Sequence, residues 1–140
     1  MAPLRAPPPA TQDPSPDVRQ SSFALVGELA RACAPHLRRA ARELIAAALA
    51  TLEPSAITRD AMSACNNACW SIGELAIKLP PEDVAPCTLP ALESLLRILS
   101  VPGGALPRSL VENSAISLGR LAWVCPEPLA PHATHFVGPW

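Results

Sequence analysis

The chain has 140 residues, 49% of them hydrophobic, and 11 Lys and Arg against 12 Asp and Glu give a formal charge of −1. That is one domain's length with enough apolar side chain for a sizeable core, so a wholly disordered segment is excluded. The even charge balance leaves no electrostatic footprint for direct nucleic-acid contact or for an anionic membrane surface. The longest charge-free apolar run, residues 44–52, is too short to span a bilayer. The start, Met-Ala-Pro-Leu-Arg-Ala followed by three prolines, lacks the continuous apolar stretch of a secretory signal. Five cysteines without short regular spacing suit buried thiols in a reducing compartment, so cytosol or nucleus is expected.

Six of the eighteen prolines fall in the first sixteen residues, and residues 1–17 read as an irregular, disordered lead-in. The Ala/Leu-rich stretches that follow carry no hairpin signals. They predict helices over 18–34, 35–52, 57–79, 84–99 and 108–125, then a stub from Leu129. Prolines 35, 80, 81, 126, 128 and 131 mark the joints, where a helix can begin or end but not continue. Pro86 and Pro90 predict a bent or late-starting fourth helix. The fold class is all-α.

The sequence also repeats. Ser-Phe-Ala-Leu-Val-Gly-Glu-Leu-Ala (22–30) aligns with Ala-Cys-Trp-Ser-Ile-Gly-Glu-Leu-Ala (68–76) and with Ser-Ala-Ile-Ser-Leu-Gly-Arg-Leu-Ala (114–122). The glycines at 27, 73 and 119 are 46 residues apart, and Cys33 and Cys125 share one position two periods apart. A two-helix period of this length marks the HEAT/armadillo solenoids, in which helix pairs stack because none can bury its apolar face alone. Residues 18–140 read as about two full repeats with incomplete ends, a segment of a longer solenoid.

At about 100° per residue, Ala68, Ile72, Leu75, Ala76 and Leu79 form one core stripe. Val26, Leu29, Ala30 and Cys33 repeat it, as do Leu118, Leu121, Ala122 and Cys125. A mid-helix glycine costs about 1 kcal/mol against alanine, so three at one register predict close approach of neighbouring inner helices. Opposite the stripe lie Asn66, Asn67, Trp70, Glu74 and Ile77. One period on, that face carries Glu112, Asn113, Ile116, Arg120 and Trp123; one period back, Gln20, Ser21, Ala24, Glu28 and Arg31. Side-chain amides can pair with both N–H and C=O of an extended peptide, while Trp70 and Ile116 offer apolar seats. Two readings of Trp70 stand open on the residues alone: packing on a neighbouring repeat, or lining a ligand groove.

Other chemistry is weakly signalled. Cys65 and Cys69 lack a third ligand nearby and read as buried hydrophobes; His132 and His135 read as surface histidines. Ser-Leu-Gly-Arg-Leu is no nucleophile elbow, and Val-Pro-Gly-Gly-Ala lacks the Lys-Ser/Thr of a phosphate loop. No catalytic residue, metal or cofactor is expected.

Three stretches resemble one family. They are Val-Arg-Gln-Ser-Ser-Phe-Ala-Leu-Val-Gly-Glu-Leu (18–29), Cys-Asn-Asn-Ala-Cys-Trp-Ser-Ile-Gly-Glu-Leu-Ala-Ile (65–77) and Leu-Val-Glu-Asn-Ser-Ala-Ile-Ser-Leu-Gly-Arg-Leu-Ala-Trp-Val-Cys-Pro (110–126). With Phe-Val-Gly-Pro-Trp (136–140), they resemble the transportins, nuclear import receptors of the karyopherin-β2 type, over residues 17–140. The resemblance implies part of the C-terminal arch of a HEAT-repeat carrier, whose concave layer holds extended basic cargo signals ending in Pro-Tyr or a Pro-Leu-like variant. By the same resemblance Asn66 and Asn113 grip the peptide backbone, and Trp70 and Ile116 form the apolar pocket. Gln20 and Glu28 line the groove, Glu28 standing where the family has Asp; the wheel, apart from the resemblance, adds Glu74, Ile77 and Trp123 as an extension of the same face. Cargo proteins are the implied partners. The GTPase Ran and nucleoporins would bind only through other parts of a full receptor, which shuttles between cytoplasm and nucleus. The rival is a HEAT scaffold that assembles folded proteins without reading a linear signal. Against the family, the 51–63 link is longer, which predicts an extended helix or a changed angle between repeats. The Pro-rich start stands where an outer helix would cover Phe23 and Val26. The carrier reading expects the Trp70 indole to point into open solvent.

Overall fold

The computed structural model describes residues 9–137, with side chains through His135. Pro16 opens α1 (Pro16–Leu37) from its first turn, where a missing N–H is no loss. Cys33 leaves the helical region (φ −149°, ψ 43°) two residues before Pro35, whose ring cannot join the helical ladder. Leu79 (φ −91°, ψ 155°) does the same ahead of Pro80 and Pro81, and Cys125 (φ −130°, ψ 67°) ahead of Pro126. Residues 33, 79 and 125 are one period apart, so the proline joints set the repeat length.

After α1 come α2 (Ala41–Thr51), α3 (Met62–Lys78), α4 (Pro81–Val84), α5 (Thr88–Leu99), α6 (Arg108–Val124), α7 (Pro126–Leu129) and α8 (Ala133–Val137). Among the described residues there is no strand, and the architecture is that of an all-α HEAT-repeat segment. Three boundaries differ from the periodicity. The second helix begins at Ala41, because a 3-10 turn (Arg38–Ala40) absorbs the kink at Pro35. The third begins at Met62, because Thr58 is extended and a 3-10 turn (Arg59–Ala61) follows it. The long link therefore does not extend a helix. It folds back on itself, with Ala56 N donating to Glu53 O at 2.8 Å. The fourth helix starts late, at Thr88, after α4 and a 3-10 turn at Ala85–Cys87, as Pro86 and Pro90 imply.

Helices α1, α3 and α6 lie side by side as one layer, and α2 and α5 pack on α3 and α6 as the second. The core sits between them. Ala68, Ile72, Leu75, Ala76 and Leu79 are all buried, and Ile45, Leu92, Leu95 and Ile98 of the second layer belong to the same hydrophobic core. Each such Leu or Ile stabilises the fold by about 1.5–3 kcal/mol relative to exposure. Phe23 and Val26, expected to lack cover, are buried. A 3-10 turn at Ala10–Gln12 packs on both α1 and α2, where an outer helix was expected. Arg19 holds this strap down, its Nη1 donating to Asp13 O at 2.7 Å and Pro14 O at 3.0 Å. Residues 1–8 of the lead-in lie outside the described residues.

The thiols follow the core. Cys65 Sγ donates to Thr51 O at 3.3 Å, and Cys69 Sγ lies 3.3 Å from Ser114 Oγ. Burial pushes the Cys69 thiol up to about 12, and raises Cys65 and Cys87 as well. A thiol that holds its proton more tightly when folded favours the folded state fully below the ordinary value of 9.0. That advantage is lost as the pH climbs from there towards 12. In timed alkylation at pH 8, half-buried Cys33 and Cys87 should label in the native protein. Cys65, Cys69 and Cys125 should label only once denaturant unfolds the chain. Mass spectrometry checks this, and rapid native labelling of Cys69 would contradict the packing.

Candidate functional site

Helices α1 and α3, and α3 and α6, meet at corresponding positions that act as rungs, filled by different groups at the two interfaces. In the first, Asn67 Nδ2 donates to Gln20 O and Asn113 Nδ2 donates to Asn66 Oδ1, both at 3.0 Å. Donors and acceptors are each one period apart, the first acceptor being a backbone carbonyl and the second a side-chain amide oxygen. Asn66 Nδ2 also reaches Asn67 Oδ1 at a long 3.4 Å. A primary amide has two N–H donors and an oxygen with two lone pairs. Asn113 Oδ1 and one N–H of Asn113 take no part in these bonds.

The second rung explains the glycines. A Cβ built on Gly27 would fall 2.6 Å from both Cε3 and Cη2 of Trp70. One built on Gly73 would fall 2.5 Å from Ser117 Oγ and 3.3 Å from Ser117 Cα. Ser117 Oγ donates in turn to Cys69 O at 2.6 Å. The close approach expected of these positions is present at Gly27 and Gly73, whereas a Cβ at Gly119 would meet nothing within 4 Å.

Trp70 therefore differs from the open indole the carrier reading expects. Its six-membered ring lies on the Gly27 backbone, and the residue is half-buried. A helical wheel gives a direction about one axis; an indole is long enough to cross to the next helix when that helix offers a glycine.

The third rung is ionic. Arg120 Nη1 donates to Glu74 Oε1 at 2.6 Å, and the Glu74 side chain is only 8% exposed. Glu74 thus lies beneath the face as a paired, buried carboxylate. At the equivalent position of α1, Glu28 is exposed beside Arg31, 3.5 Å away.

Of the residues singled out from sequence, Gln20, Asn66, Trp70 and Asn113 are half-buried along the rungs. Ile116 (51% exposed), Ile77 and Trp123 (81% exposed) stand out from the same face. Asn67 and Arg120, which the wheel puts on this face but which were not among the cargo-contacting residues, tie the rungs together. The 46-residue spacing, which sets 74 beside 120 and 20 within one residue of 67, was the signal that could have found them. Elsewhere, Cys65 and Cys69 belong to the core, the His132 and His135 rings lie 6.0 Å apart, and among the described residues no three His, Cys, Asp or Glu cluster as metal ligands. No described helix is long and apolar enough to cross a membrane. The face can offer amide hydrogen bonds, apolar seats and two exposed carboxylates, Glu28 beside Arg31 and Glu112 beside Arg108, to an extended chain.

Comparison with known proteins adds a relationship. The chain is 48% identical over 128 residues to transportin-1 of Oryza sativa subsp. japonica, covering 91% of this chain and 14% of that protein. It is 40% identical over 129 residues to transportin-1 of Homo sapiens, covering 92% and 14%. It is 36% identical over 129 residues to importin subunit beta-2 of Schizosaccharomyces pombe, again covering 92% and 14%. No protein-family model matches. The chain spans about one seventh of the length of the curated relatives it matches.

Proposed function

From a chain homologous over nine-tenths of its length to a segment of the transportins, we propose that it serves as a cargo-binding segment of a nuclear import receptor. It takes up localisation signals of the proline–tyrosine type as extended peptides lying across the rungs. The observation that carries this reading is the amide pair Asn66–Asn113 with Ile116 exposed beside it. In this mechanism Asn113 Oδ1 accepts a peptide N–H, and a free amide N–H of Asn113 donates to a peptide carbonyl. Ile116 and the outer edge of Trp70 seat the Pro-Tyr side chains, and Glu28 and Gln20 receive a basic residue. Ile77 and Trp123 lengthen the seat. Glu74, neutralised by Arg120, holds the layer together instead of meeting cargo. Cargo proteins are the partners here; Ran and nucleoporins engage other parts of a complete receptor moving between cytoplasm and nucleus.

Fluorescence anisotropy with a labelled proline–tyrosine peptide tests the proposal. Ile116→Ala and Asn113→Ala should each weaken binding about tenfold, equivalent to about 1.4 kcal/mol. Ile116→Ala should leave the melting temperature unchanged, because the side chain is half exposed. Trp70→Ala should weaken binding at least as much and also lower the melting temperature, because the indole bridges two helices. Unchanged affinity in both the Ile116 and Asn113 variants would remove the peptide site. Retention of folded partners with indifference to the peptide would favour the scaffold reading instead.

A further inference from the structure

We propose that Asn67 is a positioning residue: without touching cargo, it fixes which way the amides of Asn66 and Asn113 point. What this does to a peptide rests on the import-segment reading; the ordering of the amides belongs to the free chain.

Three bonds cross three helices in one row. Asn113 Nδ2 on α6 donates to Asn66 Oδ1 at 3.0 Å, and Asn66 Nδ2 donates to Asn67 Oδ1 at 3.4 Å, both acceptors lying on α3. Asn67 Nδ2 then donates to the backbone oxygen of Gln20 on α1 at 3.0 Å. Every donor in the row points from α6 towards α1. The cause lies at the α1 end, because a backbone carbonyl accepts and has no proton to give. Asn67 must therefore turn its nitrogen to Gln20, which leaves its oxygen on the Asn66 side. Asn66 must then bring its nitrogen to Asn67 and its oxygen to Asn113, and Asn113 must bring its nitrogen to Asn66. One fixed acceptor orders three side chains, and reversing any one of them would set two donors or two acceptors face to face. All four residues are half-buried, where amides bonded in series polarise one another.

The order has a consequence for specificity. With its nitrogen held by Asn66, Asn113 keeps Oδ1 on the opposite edge, so the site takes a peptide N–H there. Proline has no N–H to give. The peptide position opposite Asn113 is therefore closed to proline, and the proline of the signal falls elsewhere, on the Ile116 seat. Without Asn67 the Asn66 amide can turn over, Asn113 can turn with it, and this selection is lost.

Two measurements on the full chain test the proposal. In the free protein, side-chain amide NMR signals report the row directly. Asn67→Leu, which cannot donate, should move the side-chain signals of Asn113, a residue on another helix, while circular dichroism stays native. Asn67→Ser, too short to reach Gln20, should do the same and guards against misfolding caused by leucine. Asn113 side-chain signals unmoved in both variants would overturn the ordering. The second measurement titrates proline–tyrosine peptides in which each backbone N–H is replaced in turn by an ester oxygen. The wild type should lose about tenfold in affinity at one ester position, the effect of one hydrogen bond. In both Asn67 variants the loss at that position should fall below about threefold. A wild type indifferent to every ester, or an unchanged loss in the variants, would overturn the positioning role. A wild type that binds no peptide at all would instead overturn the import-segment reading, and the NMR signals would then decide the ordering alone.

Discussion

Gly27→Leu is expected to destabilise the protein by about 2–3 kcal/mol, by driving the Trp70 ring off the α1 backbone. Built there, even a single carbon lies 2.6 Å from two ring atoms. The indole is the flexible partner, so it yields by swinging into water and surrendering the contact between α1 and α3. Leucine has high helix propensity, so the loss cannot be assigned to the helix itself. Gly119→Ala is the matched control. It occupies the same repeat position with open space around it, and should stabilise α6 by about 0.5–1 kcal/mol. Urea unfolding of both variants reads the two signs. Trp70 emission, followed with Trp123 and Trp140 changed to Phe, should shift to the red in Gly27→Leu alone. Equal effects at 27 and 119 would mean that the glycines serve no close approach.

Arg120→Met carries the second large effect, a loss of about 2–3 kcal/mol. Its guanidinium is the hydrogen-bonding partner of a Glu74 side chain 8% exposed. Removing the cation leaves a carboxylate that has lost its water and its charge partner, which is costlier than the pair was ever worth. The double variant Glu74→Gln/Arg120→Met should recover most of the loss, since a neutral amide tolerates the site better. Chemical denaturation of the four-member cycle gives the coupling directly. A cost below about 0.5 kcal/mol for Arg120→Met would place this pair with ordinary surface ion pairs.

The inner layer was legible because two signals coincide on it. The apolar stripe repeats every 46 residues, and a glycine marks the same flank of each copy at 27, 73 and 119. Prolines named the joints for a local reason, since a proline has no N–H to lend a continuing helix. What escaped involved partners distant in sequence. Ile57 fits the apolar pattern of the helix that follows, but extended Thr58 stands between them. The Pro-rich start suggested an irregular segment. Yet its 3-10 turn at Ala10–Gln12 lies on α1 and α2, with Arg19 bonded back to Asp13 and Pro14. Within the site, the wheel named the face but not the depth. Glu74 and Ile77 project towards one side, and only Arg120, arriving from the next repeat, draws Glu74 under the surface while Ile77 stays exposed.

The central place of α3 has a mechanical consequence. It packs extensively on α1 along one flank and on α6 along the other, and α2 covers its stripe. Helix α3 is thus the one inner helix of this segment flanked on both sides among the described residues. Its two flanks are seated through glycines, Gly27 on the α1 side and its own Gly73 on the α6 side. A larger side chain at either seat, Gly27 beneath the Trp70 ring or Gly73 against Ser117, would have to wedge α3 away from its neighbour.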